Sequence, residues 1–363
     1  MSTTNEYFQE TVTHPGLTLK EKLEEIGMSK KEFALRTEKP EQTIIKIING
    51  NSSITPDMSI QFENVLKIPA KFWLKKQYRY DEIVSRNKRQ SAIEEAKEWA
   101  RCFPYAAMAN FGWVPSTRKI EEKIDILFQF FGLSGKTAWE DYYYKQKLKV
   151  CFRISLKQTT ESYAVSAWLR QGEILAEELK VPSYNANKFK QNLALIKDLM
   201  AHHSEGFFTQ LQNLCKQAGV KVVYTPCLPK APIHGSTRWI GDTPLIQLSA
   251  RYKQNDRFWF TFYHEAGHIL LHGKKYVSIE NIEFDDIDLK KEEEANAFAI
   301  DWTFSEKQEQ ELLCAAPLRE NDIVIFAKKF NTHPAVIIGR FHHKGILPYS
   351  VGRKFIEPIC LSN

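Results

Sequence analysis

The chain has 363 residues, 43% of them hydrophobic and 26% charged, which is enough for two or three domains with real cores and excludes a disordered chain. Its 50 basic residues nearly balance 44 acidic ones, so the net charge of +6 is a mild bias toward anionic partners and does not by itself mark a DNA binder. Cys102, Cys151, Cys215, Cys227, Cys314 and Cys360 lie far apart without any C-x-x-C pair, which argues against a disulfide framework or a cysteine-based zinc site and fits a reducing compartment. The leading MSTTNEYFQE is polar and acidic where a signal peptide would be basic and then apolar, and no apolar run approaches the roughly 20 residues that span a bilayer. The expectation is a soluble cytoplasmic protein with no membrane partner.

The first eighty residues break into four or five short helices. Leu19, Leu23 and Ile26 repeat at helical spacing up to Gly27, and Ser29 with Glu32 forms a capping-box signature for a helix holding Phe33, Ala34 and Leu35. A helix from about Glu41 is predicted to turn Ile44, Ile45 and Ile48 inward and to end at Asn49-Gly50. Another starts after Thr55 with Pro56 at its first position and Phe62 and Leu66 inside.

Residues 81–200 read as a helical scaffold without repeats or low-complexity tracts. RNKRQSAIEEAKEWARCF, STRKIEEKIDILFQFFGL and YAVSAWLRQGEILAEELK have amphipathic helical spacing, and LKVCFRIS is read as a strand. From residue 201 the character changes. FFTQLQNLCKQAG is a helix ending at Gly219, VKVVYTP a β-branched strand, and GSTRWIGDTPLIQLS a pair of strands joined at Gly241-Asp242. Then come the long FWFTFYHEAGHILLHG helix, an acidic loop, the helix KEEEANAFAIDW, and two helices around Thr332-His333-Pro334, which together suggest an α+β unit.

His264-Glu265-Ala266-Gly267-His268 fits H-E-x-x-H. Residues four apart lie one turn apart on one helix face, so two imidazoles can converge on one cation, and Glu265 is left beside the remaining coordination position. Zinc there brings the pKa of water toward ~7, and a carboxylate can take its proton as it attacks a carbonyl. The alternative is a buried helix whose histidines are satisfied by protein groups. Phe258, Trp259, Phe260, Phe262, Ile269, Leu270 and Leu271 predict that the helix is buried, which favours the metal, because buried polar groups need partners.

For a third ligand, His272 stands again four residues on but directly before Gly273, where a histidine is expected to meet helix-end carbonyls. Glu292 is the better candidate, since it shares a face with Ala295, Asn296 and Ala299, a small-residue stripe that lets its helix pack closely on the histidine helix. Glu293 and Glu294 are expected to face solvent, although the choice between Glu292 and Glu293 stays open, and all three acids also suit a helix N-terminus.

H-E-x-G-H followed by E-x-x-A-N-x-F-A, here HEAGH and EEEANAFA, resembles the ImmA/IrrE metallopeptidases, and the resemblance runs from GSTRWIGDTPLIQLSARYKQNDRFWFTFYHEAGHILLHG to HPAVIIGRFHHKG. It implies a zincin-like α+β domain with a small sheet, His264, His268 and Glu292 as ligands of Zn2+, and Glu265 as general base. DWTFS departs from the aliphatic stretch ending in proline that the family usually has there. The family implies a protease of narrow taste that cuts a repressor, antitoxin or similar regulator.

HPGLTLKEKLEEIGMSKKEFA, IIKIINGNSSITPDMSIQFENVL and PAKFWLKKQYRYDE are similar to the XRE-type helix-turn-helix of HigA antitoxins. In such a module the helix from Glu41 enters the major groove with Gln42, Thr43 and Lys46, while Lys30 and Lys31 contact phosphates. Glu41 departs from the pattern, and RTEKPEQ replaces the usual glycine-containing turn. The expected chain is multidomain and mainly α: a helix-turn-helix domain at 1–80, the scaffold at 81–200, the peptidase domain at 201–348 and a tail at 349–363. Expected partners are a protein substrate, double-stranded operator DNA, a cognate toxin and a second copy of the chain in a homodimer. The alternative function is a repressor or antitoxin whose peptidase-like domain senses or binds a partner without turnover.

Overall fold

The computed structural model describes residues 12–143, 161–231, 233–249, 251–275, 278–279, 286–315, 319–359 and 361. The strand read from LKVCFRIS lies outside them. The chain divides into two compact units, Met1–Glu95 and Ala96–Asn363.

The first unit is built from α1 (Pro15–Glu25), α2 (Lys30–Arg36), α3 (Glu41–Ile48), α4 (Pro56–Leu66) and the beginning of α5 (Ala70–Arg101). Its ends follow the local chemistry: Ser29 Oγ accepts from the Glu32 amide and Thr55 Oγ1 from the Met58 amide. Leu19, Leu23, Phe33, Ile44, Ile47, Phe62 and Trp73 form the core, with Phe62 edge-on to both Phe33 and Trp73. Gly16 sets the approach of α1 to α3, because a Cβ there would lie 1.8 Å from the Ile47 carbonyl oxygen. That contact also corrects the phase of α3: Ile44 and Ile47 are fully buried, while Ile45 and Ile48 are half-buried. Ile26 is 43% exposed because it caps α1 beside Gly27, where the chain turns away. In the turn after α2, Glu38 takes the left-handed conformation (φ 52°) that a glycine would adopt without strain. Helix α5 runs without a break past residue 80.

The second unit contains α6 (Tyr105–Asn110), α7 (Ile120–Phe131), α8 (Lys136–Trp139), α9 (Glu161–Glu178), α10 (Ala186–His202), α11 (Phe207–Gln217), β1 (Lys221–Tyr224), β2 (Gly235–Ile240) and β3 (Thr243–Leu248). After these come α12 (Asn255–Gly267), β4 (Ser278–Ile279), α13 (Asp286–Thr303), α14 (Glu306–Leu313), α15 (Glu320–Phe330) and α16 (Pro334–His343). The sheet order is β1-β3-β2-β4, with β1 parallel to β3 and the other pairs antiparallel. The β2–β3 hairpin turns on Gly241-Asp242, the two-residue loop expected from the sequence.

Alternation along the strands divides the sheet into two faces. Val222, Ile246 and Leu248 join the main core with Phe258, Trp259, Phe262 and Tyr263 of α12, whereas Val223 and Leu245 pack with Ala176 of α9. Helix α9 is thereby one layer of the fold. Trp168 Nε1 donates to the Thr225 carbonyl, Gln247 Nε2 to the Trp168 carbonyl and Arg238 Nη2 to the Leu169 carbonyl. The departing DWTFS stretch ends α13 at Thr303, buries Phe304, and gives Ser305 to a capping box with Gln308 that starts α14. Among the described residues no helix is long and apolar enough to cross a membrane.

Candidate metal centre

Helix α12 carries its motif at its buried end. His264, Glu265 and His268 are 1%, 0% and 1% exposed, with Phe258, Trp259 and Phe262 anchoring the preceding turns in the core. Past Gly267 the helix widens into a single π turn, His268–His272, and this turn leaves Leu271 exposed, where the sequence reading had it buried. The Nε2 atoms of His264 and His268 face each other at 3.0 Å. Helix α13 lies against α12 through Ala295 and Ala299, both fully buried, and this contact brings Glu292 to the pair. Its Oε2 is 3.1 Å from His264 Nε2 and its Oε1 3.3 Å from His268 Nε2. Among the described residues these three side chains form a group with ligand atoms all within 4.8 Å of one another. Glu293, one residue on, is exposed.

The surrounding hydrogen bonds fix which atoms face inward. Asn296 Oδ1, 2.9 Å from His264 Nδ1, can only accept, so the hydrogen of neutral His264 sits on Nδ1 and its Nε2 presents a lone pair. His268 Nδ1 is 2.9 Å from His272 Nδ1, and His272 Nε2 is 3.1 Å from Glu294 Oε2. His272 therefore meets two side chains where a helix-end capping role was expected, while Glu294 is exposed, as expected, and also pairs with His272. Burial pushes the His268 imidazole down to about 4, which makes it neutral at pH 7. Burial also opposes the charge on Glu292, but the contacts with His264 and His268 outweigh it and hold the carboxyl well below its usual range. Two imidazole nitrogens and an ionised carboxylate converging in a buried space are a donor set that fits a divalent cation of the borderline-soft kind.

Glu265 sits one residue from the first histidine with its carboxylate against β2. A Cβ on Gly235 would lie 2.6 Å from Glu265 Oε1 and 2.8 Å from Thr261 Cγ2, so only glycine leaves room for the carboxylate at this point of the strand. Thr237 Oγ1 donates to the Glu265 carbonyl at 3.0 Å and ties the helix end to the same strand. Gly235, Thr237, Asn296, His272 and Glu294 are the members of this region whose roles sequence reasoning missed. Asn296 had a signal, its place on the Glu292 face.

Two family models match the chain: the IrrE N-terminal-like domain of peptidase family M78 over residues 215–338, and a helix-turn-helix over residues 19–73. The chain carries a helix-turn-helix domain followed by an IrrE-like domain of peptidase family M78. Virulence-associated protein A of Dichelobacter nodosus is 35% identical over 69 residues, 18% of this chain and 68% of that one. Among solved structures, an addiction module antidote protein of the HigA family from Coxiella burnetii is 30% identical, covering 23% of this chain and 92% of its own, with a TM-score of 0.22. An antidote protein of a plasmid maintenance system from Nostoc punctiforme is 27% identical over the same shares, with a TM-score of 0.23.

In the helix-turn-helix unit, Lys30, Lys31, Gln42 and Lys46 are exposed and Thr43 is half-buried. Glu41 is also exposed, and Pro40 gives α3 no side-chain cap, so the first amides of the helix lack that partner.

Proposed function

We propose that the chain is a zinc-dependent endopeptidase that cuts a regulatory protein, a repressor or antitoxin, and that its helix-turn-helix places it on operator DNA. The observation that carries this reading is the buried His264–His268–Glu292 cluster with Glu265 beside it. A structural site closes its fourth position with protein and needs no base, whereas two histidines and a carboxylate leave one position open next to a carboxylate. His264 and His268 would hold Zn2+ through Nε2 and Glu292 through its carboxylate. Zinc so held supplies Lewis-acid chemistry, activating water and polarising a peptide carbonyl. Glu265 Oε1 or Oε2 takes the proton from the attacking water and delivers it to the leaving amide nitrogen. Gly235 leaves room for that carboxylate, and Thr237 ties the Glu265 backbone carbonyl to the same strand.

On the DNA side, α3 presents Gln42 and Thr43 to base edges and Lys46 to guanine or phosphate, and Lys30 and Lys31 contact phosphates. The HigA-family likeness supports operator DNA and a cognate toxin as partners, with the chain bound as a homodimer in the cytoplasm. The second reading, a regulator whose peptidase-like domain senses a partner without turnover, draws on the same fusion of domains in one chain.

The test incubates wild type and Glu265→Gln with the proteins encoded beside it. Fragments from wild type alone establish the peptidase, while zinc binding without cleavage of any neighbour or of the chain itself moves the assignment to the regulator.

A further inference from the structure

His272 and Glu294 take no part in the three-ligand cluster, yet hydrogen-bond contacts link them to it. The His272 side chain is 4% exposed, wedged between His268 and α13, while Glu294 is 47% exposed at the rim. When His268 gives its Nε2 lone pair to a cation held with Glu292 and His264, its hydrogen is on Nδ1 and donates across 2.9 Å to His272 Nδ1. The His272 hydrogen is then on Nε2 and donates across 3.1 Å to Glu294 Oε2. Every bond in this chain points the same way, from the cluster to the rim.

We propose that His272 and Glu294 are a positioning pair that holds His268 in its Nδ1–H tautomer and thereby raises the affinity of the His264–His268–Glu292 cluster for a divalent metal. The inference rests on the metal-centre reading above. Helix α13 makes the arrangement cooperative, because it supplies Glu292 to the cluster, Asn296 to the Nδ1 of His264, and Glu294 to the far end of the His268 chain. Each cluster histidine is thus tethered to α13 through its outer nitrogen, His264 directly and His268 through His272. An outer partner of this kind orients a ligand ring and raises its basicity.

The test uses the full chain, stripped and reloaded with Co2+ or Zn2+, with affinity measured by competition against a chelator. His272→Ala is expected to bind about 10–100-fold more weakly than wild type and to shift the visible absorption of the Co2+ form. His272→Asn places Oδ1 where Nδ1 was, still accepts from His268, and is expected to recover most of the loss. Glu294→Ala, at the rim, is expected to bind at least about threefold more weakly, and it carries the test should His272→Ala fail to fold. Affinity within about twofold of wild type in both His272→Ala and Glu294→Ala, while His264→Ala loses the metal, overturns the positioning pair and leaves the metal centre standing. A wild-type chain that binds neither metal overturns both.

Discussion

At the end of α12, His264, Glu265 and His268 are buried to within 1% and meet Glu292 of a second helix, whereas on α3 Gln42 and Lys46 stand in solvent beside Glu41. The contrast shows how differently an interior and a surface constrain chemistry. Inside, every polar atom needs a partner, so converging lone pairs and a carboxylate narrow the occupant to a cation. Outside, water satisfies the same groups equally well, and only a ligand can reveal which of them matter.

The comparison is broken most directly on the inside. Glu265→Gln is expected to keep the metal and lose about 10²–10⁴-fold in cleavage, read as initial rates on the identified substrate, and a Gln variant with wild-type rate would remove Glu265 from the reaction. Gly235→Ala drives a methyl group against the Glu265 carboxylate from the neighbouring strand. An ångström-scale displacement of a catalytic group costs about 100-fold, so this variant should hold its metal while cleavage falls by about that factor. Unchanged cleavage would mean that the carboxylate has room the structure does not show.

On the surface the effects are expected to be smaller. Lys46→Ala should weaken binding to an operator fragment uniformly across sequences and reduce the slope of log affinity against log salt by about one, if Lys46 meets a phosphate. Loss confined to particular base substitutions would place it on a base instead. Glu38→Gly relieves a left-handed glutamate and should raise the stability of the first unit by about 0.5–1 kcal/mol in denaturant unfolding. A destabilised variant would show that the Glu38 side chain contributes more than its backbone costs.

Much of the inner site was readable from spacing alone. The i, i+4 histidines specify one helix face, and the small-residue stripe at Ala295 and Ala299 marks the side of α13 that packs on α12 and favours Glu292, though spacing left Glu293 open. What spacing could not give were contacts made by elements far apart in sequence. Gly235 looks like an ordinary hairpin residue until β2 is laid against α12. His272 and Glu294 are 22 positions apart, and each alone has an adequate local explanation, a helix end for one and a helix start for the other. Helix α9 read as generic scaffold because amphipathic spacing says that a face is covered without saying by what, and here it is the sheet. The phase of α3 was misjudged for the same reason, since Ile47 rather than Ile48 is buried by the approach of Gly16.

The central claim, that the buried cluster is a metal site, is tested most directly by metal content. Elemental analysis of the purified wild-type chain beside His264→Ala should find about one zinc per chain in the first and essentially none in the second. Equal metal in both, or none in a wild-type chain supplied with zinc, would contradict the account.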